Sequence, residues 1–224
     1  MSKSVSRRKF MQTAGTAAVV GMTSKSVFAS NKKTLIIGVS CSPRKGKTTA
    51  TAVKAALNAA KGVNPNIATE MIDLGGQSIA GWAPQQILDD FELILPSFQA
   101  PNLGGIIIGS PAYFRNMSSL CAAFLERLSV LRKPKLILAN TSVGALSVGA
   151  YRNGGQELVI QQIHTAMLCH EAVIVGGKPG AFQGATLWNS HKDNILKDEF
   201  GIESAKKLGI RVAEATLRLA DITK

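Results

Sequence analysis

Short apolar runs alternate with helix-spaced apolar stripes along most of this chain. Residues 34–39 (TLIIGV) form a continuous apolar run, the right length for a strand and too short for a helix. An alanine-rich helix pattern follows at residues 50–60, then strand patterns at Ile67–Asp73 and residues 105–109. Residues 118–131 place Leu120, Phe124, Leu128 and Leu131 on one helical face, with Ser118 set to cap the start. Residues 135–140 read as a fourth strand, Gln156–Leu168 as a helix, residues 172–175 as a fifth strand and residues 202–220 as a closing amphipathic helix. Wholly apolar strands separated by helices predict a parallel sheet covered on both faces. Five in this rhythm predict a doubly wound, five-stranded α/β fold in three layers (α/β/α), which takes ligands at the carboxyl ends of its strands. Residues 75–104 are the least regular, with one helix expected over 84–95. No internal repeat and no second domain are visible.

The first 29 residues stand outside this rhythm. Ser6-Arg-Arg-Lys-Phe-Met11 precedes a small-residue apolar stretch (14–22) and Val27-Phe28-Ala29. A basic start, an apolar middle and small residues before a cut describe an export signal, cleaved after Ala29. The Arg7-Arg8 pair points to the twin-arginine route and a periplasmic protein; a basic, disordered amino terminus is the alternative. The apolar stretch is shorter than the roughly 20 residues that a bilayer span needs. Twin-arginine export carries folded proteins, so a bound cofactor is expected.

Cleavage removes Lys3, Arg7, Arg8, Lys9 and Lys25 and no acid, and the formal charge falls from +12 to +7. Residues 30–224 then suit one domain with a full core. The remaining basic residues lie singly, without interleaved aromatics, which argues against nucleic-acid binding. Cys41, Cys121 and Cys169 have no CxxC spacing and permit at most one bridge; three inert buried thiols are the alternative. His164, His170 and His191 form no metal-ligand spacing, and the polar loop 188–193 either covers a ligand or is plain surface.

The chemistry concentrates in Ser40-Cys-Ser-Pro-Arg-Lys-Gly-Lys-Thr-Thr49, between the first strand and the first helix. A strand–loop–helix unit aims free N–H groups and the positive end of the helix dipole at one point. With the hydroxyls, Arg44 and Lys47, the loop is a phosphate cradle. It nearly satisfies the nucleotide-triphosphate pattern GxxxxGK followed by Ser or Thr. Cys41 replaces the first glycine, however, and Pro43 removes a donor. Asp73 is the one candidate for holding magnesium in that reading.

Ser42-Pro-Arg-Lys-Gly46 with Thr48-Thr49 resembles the phosphate loop of flavodoxin-like NADPH-dependent FMN reductases and their iron–sulfur flavoprotein relatives. A second block, Gly109-Ser-Pro-Ala-Tyr-Phe114, is similar to that family's ring-lining loop, and Ser147-Val-Gly-Ala-Tyr-Arg-Asn-Gly-Gly-Gln-Glu157 to its glycine-rich third loop. The resemblance implies a flavodoxin-like fold and bound FMN. Ser42, Arg44, Lys47, Thr48 and Thr49, with backbone N–H groups around Gly46, then hold the phosphate. Pro111, Ala112, Tyr113 and Phe114 pass along the isoalloxazine ring; core packing is the alternative for the two aromatics. Ser142, Gly144, Gly149, Gly154 and Gly155 bring main chain to the pyrimidine edge, where an ordinary connection is the alternative.

The chain departs from the family pattern at Cys41, Lys47, Arg115 (a glycine in the family) and Ala122 (a lysine). Residues 79–86 carry none of the cluster cysteines of the iron–sulfur relatives, which argues against an iron–sulfur cluster. The implied activity is an FMN-dependent oxidoreductase, taking electrons from NAD(P)H and passing them to a quinone-type acceptor, with no obligatory catalytic side chain. If the export signal operates, a quinol, a cytochrome or another exported redox protein replaces NADPH as donor. An exported FMN electron carrier without its own small-molecule substrate is the runner-up, and a P-loop NTPase the third reading. The family precedent also implies a homodimer.

Overall fold

The computed structural model describes residues 33–85, 88–190 and 192–222; the export-signal expectation for residues 1–29 lies outside them. Strand β1 (Thr34–Ser40) runs through the basic loop into α1 (Thr48–Lys61), and β2 (Ile67–Asp73) returns beside β1. An irregular stretch leads to α2 (Phe91–Phe98), β3 (Leu103–Tyr113), a short β4 (Asn116–Met117) and α3 (Ser119–Arg127), which tightens into a 3-10 turn at Leu128–Arg132. Then come β5 (Ser142–Gly149), α4 (Gln156–Leu168), β6 (Val173–Ile174), β7 (Ala185–Trp188) and α5 (Glu199–Ile222).

The sheet has the order β2-β1-β3-β5-β6, with every neighbour parallel; β7 adds to β5, and β4 pairs antiparallel with β3. This is the doubly wound arrangement that the strand rhythm predicts, in the flavodoxin-like order that the resemblance implies. Strand direction of travel reverses between β1 and β3, so their carboxyl ends flank the crevice where such folds bind ligands. Alternation along the strands divides the core. Ile37, Val39, Ile106 and Ile108 pack with Phe91, Phe98, Phe124, Val159 and Ile163, whereas Ile36 and Ile107 meet Val53, Leu57, Leu208 and Val212. Thus α2, α3 and α4 cover one face, and α1 and α5 the other. Among the described residues no helix is long and apolar enough to cross a membrane.

Three elements differ from the sequence expectation. Residues 135–140 are turns, despite their apolar composition, and the strand lies at Ser142–Gly149. Its Ser, Gly and Ala residues are small because α5 lies close against it. A Cβ on Gly144 would come within 2.6 Å of Val212 and 3.0 Å of Leu208. The fifth strand position is broken: β6 pairs with the amino end of β5 and β7 with its carboxyl end, with residues 175–184 looping out between. The helix expected over 84–95 starts later, where Asp89 accepts the Phe91 N–H at 3.0 Å.

Asp89 also ties the irregular stretch to α3. Its carboxylate accepts from Arg127 at 2.7 Å and from the Ala80 N–H at 2.8 Å, while Arg127 lies 4.7 Å over the Phe91 ring. Burial works to raise the Asp89 carboxyl, but the Ala80 and Phe91 N–H groups and the Arg127 guanidinium outweigh it and hold it below the usual carboxylate range. Ser97 is likewise held, donating to Glu70 at 2.6 Å.

Candidate functional site

Three loops meet at the carboxyl edge of β1, β3 and β5. Cys41 N–H donates to the Gly109 carbonyl at 2.7 Å, joining the first loop to β3. Pro111 pairs with Val148, joining the second loop to the end of β5. A hydroxyl relay fixes their spacing. Ser118 Oγ caps α3 by accepting the Cys121 N–H at 3.0 Å, as the sequence predicts, and donates to the Cys41 carbonyl at 2.6 Å. Ser118 N–H in turn donates to Ser110 Oγ at 3.0 Å.

The first loop has the features of an anion cradle. Ser42, Thr48 and Thr49 are buried, whereas Arg44 and Lys47 are exposed. Lys47 occupies the N-cap of α1 in extended conformation, yet no side chain caps the helix, and its first turn holds no acid. The leading N–H groups of the helix have no carbonyl one turn earlier within it. Thr49 Oγ1 is buried without a hydrogen-bond partner, as are Ser40 Oγ and Ser147 Oγ at the same sheet edge. A buried, unpaired hydroxyl beside an uncapped helix start is what a tetrahedral oxyanion satisfies. These residues therefore fit a phosphate monoester, and with it FMN.

Asp73, at the end of β2, organises the loop. Its carboxylate accepts the Gly46 N–H at 2.7 Å and the Gly75 N–H at 3.2 Å, and Gly46 takes φ +67°, which glycine adopts without strain. The Gly46 N–H is thus taken up by Asp73. This gives Asp73 a structural role in place of the magnesium ligand of the NTPase alternative. Among the described residues no group of three or more His, Cys, Asp or Glu side chains is placed to hold a metal.

The second loop is a two-residue hairpin turn between β3 and β4, with Phe114 and Arg115 at φ +50° and +64°. Such turns need positive φ at both central positions, which glycine meets most easily. Arg115 takes this strain with its guanidinium bonded to the Asn153 carbonyl at 3.1 Å. Phe114 is 99% and Tyr113 40% exposed, so neither aromatic belongs to the core. Pro111 is buried and Ala112 half-buried beneath them.

The third loop closes the edge. Gly155, at φ +93°, begins α4 where any Cβ would meet Arg115 at 2.7 Å. Gly149 ends β5 against the Gln156 amide, which donates to the Tyr151 carbonyl at 2.7 Å, and Gly154 lies beside it. Arg115, Arg152, Asn153, Gly155, Gln156 and Thr186 line a cleft of about 400 Å³ between these two loops. Ser142 and Gly144, expected at the pyrimidine edge, do not reach it. Ser142 starts β5 opposite Gly105 and hydrogen-bonds Thr216, and Gly144 lies mid-strand under α5. At about 3.3 Å per residue, Ser142 is some 16 Å from Ser147.

Sequence reasoning missed the fastening beyond β7. Trp188 Nε1 donates to the Ala150 carbonyl at 3.0 Å beneath the Arg152 guanidinium, which stacks 4.2 Å over the ring. Five residues on, Asp193 pairs with Arg44 of the cradle at 2.8 Å. Trp188 and Asp193 therefore contact the third and the first loop respectively. No local pattern announces this, since the partners are 149 residues apart.

Cys41 and Cys121 are buried free thiols and Cys169 is exposed. Burial, then the neighbouring Cys121 thiol, pushes Cys41 well above the ordinary thiol range and makes it a poor nucleophile.

A family model described as NADPH-dependent FMN reductase matches residues 34–186. An iron-sulfur flavoprotein of Methanocaldococcus jannaschii is 37% identical over 191 residues, spanning 80% of this chain and 95% of that protein. An NAD(P)H dehydrogenase (quinone) of Paracoccus denitrificans is 38% identical over 79 residues, 35% of this chain and 37% of that one. Among solved structures, RosB with a bound riboflavin-5'-phosphate derivative superposes with a TM-score of 0.67 at 12% identity, over 85% of this chain and 81% of the other, which shows a common fold.

Proposed function

Because the chain belongs to the NADPH-dependent FMN reductase family and is an FMN-dependent oxidoreductase, we propose that its cradle seats the FMN phosphate and that its flavin passes electrons from NAD(P)H to a quinone-type acceptor. The observation that carries this reading is the uncapped start of α1, ringed by Ser42, Thr48, Thr49, Arg44 and Lys47 at the β1/β3 crevice. Bound FMN supplies the hydride and electron chemistry; the protein supplies binding, orientation and electrostatics. Thr48 and Thr49 donate hydroxyls to the phosphate, and Arg44 and Lys47 supply positive charge without a metal. Pro111, Ala112, Tyr113 and Phe114 present one wall to the ring. Gly149, Gly154 and Gly155 let main chain approach its polar edge, with Arg115 and Arg152 beside them.

The exposed rim of Tyr113, Phe114 and Tyr151 favours a second reading, in which a redox protein docks over the flavin and the chain is an electron carrier. Export by the twin-arginine route would favour a donor other than NADPH, and assembly as a homodimer belongs to the same proposal. Steady-state oxidation of NADH and NADPH, with and without a soluble quinone, separates the readings. Quinone-dependent turnover supports the oxidoreductase with its own substrates. A flavin that is reduced chemically but ignores both nucleotides supports the carrier.

A further inference from the structure

The cradle already holds an anion of its own. Arg44 Nη1 donates to Asp193 Oδ1 at 2.9 Å and to Oδ2 at 2.8 Å, and Asn189 Nδ2 donates to Oδ1 at 3.0 Å. Asp193 takes φ +50°, a conformation that L residues seldom adopt without a local reason. The segment carrying it is fastened before and after. Asn189 N–H donates to the Gly149 carbonyl at 2.9 Å, and Trp188 N–H to Asp198 Oδ2 at 2.7 Å. The carboxylate thus meets Arg44 from between two fastened positions, Asn189 and Asp198. The Asn189 amide, then Arg44, hold it below the usual carboxylate range, with Lys47 adding to the same effect, so it stays charged at neutral pH.

Both carboxylate oxygens share the one Arg44 nitrogen Nη1, a charge-assisted contact that a phosphate oxygen could replace. We propose that Asp193 is an internal stand-in for phosphate, so that FMN enters the cradle by displacing it from Arg44, and that its charge sets how strongly the site prefers phosphorylated over unphosphorylated flavin. The inference rests on the FMN reading of the cradle. The Arg44–Asp193 pair is solvent-exposed, with 45% and 39% of the side chains accessible, so it exchanges easily. A dianion seated on the start of α1 then lies near a fixed negative charge. Two charges against one at about 6 Å, in a water-like and partly screened medium, weaken binding roughly three- to tenfold. Such a residue would keep phosphate affinity moderate and leave riboflavin affinity untouched.

The test compares Kd values for FMN and riboflavin, by flavin fluorescence quenching, in the wild-type protein and Asp193→Asn. Asn keeps the shape and the Asn189 neighbour while removing the charge. The expected result is FMN binding tightened about three- to tenfold, shrinking as salt is raised, with riboflavin changed less than twofold. Unchanged or weaker FMN binding in Asp193→Asn overturns the inference alone, because it would make Asp193 a mere holder of Arg44. Equal tightening of riboflavin also overturns it, since the effect would not act through phosphate. If the wild-type protein and the variant both fail to bind FMN, the cofactor reading falls and the inference with it.

Discussion

Ser118 Oγ donates a hydrogen bond to the Cys41 carbonyl at 2.6 Å while it accepts one from the Cys121 N–H at 3.0 Å. One hydroxyl thereby starts α3 and fastens Cys41 of the basic loop to the element that follows the β3–β4 turn. Replacing Ser118 by Ala removes both bonds and leaves a buried carbonyl and an uncapped helix. Loss of such a cap costs about 0.5–2 kcal/mol, and the orphaned Cys41 carbonyl adds to this. We expect the unfolding free energy from urea titration to fall by about 1–3 kcal/mol, and FMN binding to weaken. Unaltered stability and affinity would show that the relay is incidental.

Arg127 is 7% exposed and shared between Asp89 and Glu92, with its plane over Phe91. Removing one member of a buried pair leaves the other charge unanswered, a loss of about 3–5 kcal/mol. Arg127→Ala should therefore destabilise by that amount in denaturant unfolding. Arg127→Met with Asp89→Asn should recover part of it, because the buried charges go together while one of the Ala80 and Phe91 N–H groups loses its acceptor oxygen. A loss below about 1 kcal/mol for the single change would contradict the assignment.

Arg115 and Arg152 line one cleft beside the third loop. A cation near the pyrimidine edge stabilises the anionic reduced flavin and makes it a better oxidant. Deleting one unit charge at about 6 Å in a largely aqueous medium should shift the two-electron midpoint by about 15–30 mV to more negative values. Spectroelectrochemical titration of Arg115→Ala and Arg152→Ala reads this directly. Identical potentials in both variants would separate these arginines from the ring.

Burial lowers the pKa of His164, and burial with the charge of Arg132 lowers that of His170. Their ring atoms Nε2 and Nδ1 are buried without partners, consistent with neutral imidazoles. The unfolded chain takes up these protons near pH 6.5, whereas the folded chain resists them. Stability from this source is complete above about pH 7 and is lost as pH falls below about 6.5 toward the lower folded values. The urea midpoint should fall as pH drops below roughly 6.5, and His164→Gln with His170→Gln should flatten that slope. An equally steep slope in the double variant would assign it to other groups.

The parts written locally were legible. Ser42, Thr48 and Thr49 sit where a loop enters a helix, and Ser118 stands before an apolar stripe, so neighbours in sequence settle where each sits and that Ser118 caps α3. Strand β5 was not legible, because Ser142, Gly144, Ser147 and Gly149 look like a connection. Their smallness is imposed by Val212 and Leu208 of a distant helix and by Gln156. Placing the strand too early also put Ser142 and Gly144 at the wrong end of the sheet. Asp73 carried two polar contacts that a lone acid at a strand end does not reveal, and Asp193 reaches Arg44 only through the complete chain path. Long-range closure, not local propensity, decides those positions.

The most direct measurement is mass identification of the small molecule released when the purified, full-length protein is denatured, with its molar ratio to chain. The account predicts riboflavin 5'-phosphate near one per chain, or stoichiometric uptake of added FMN by colourless protein. A protein that releases no flavin, stays colourless with excess FMN and instead retains magnesium-ATP would contradict it.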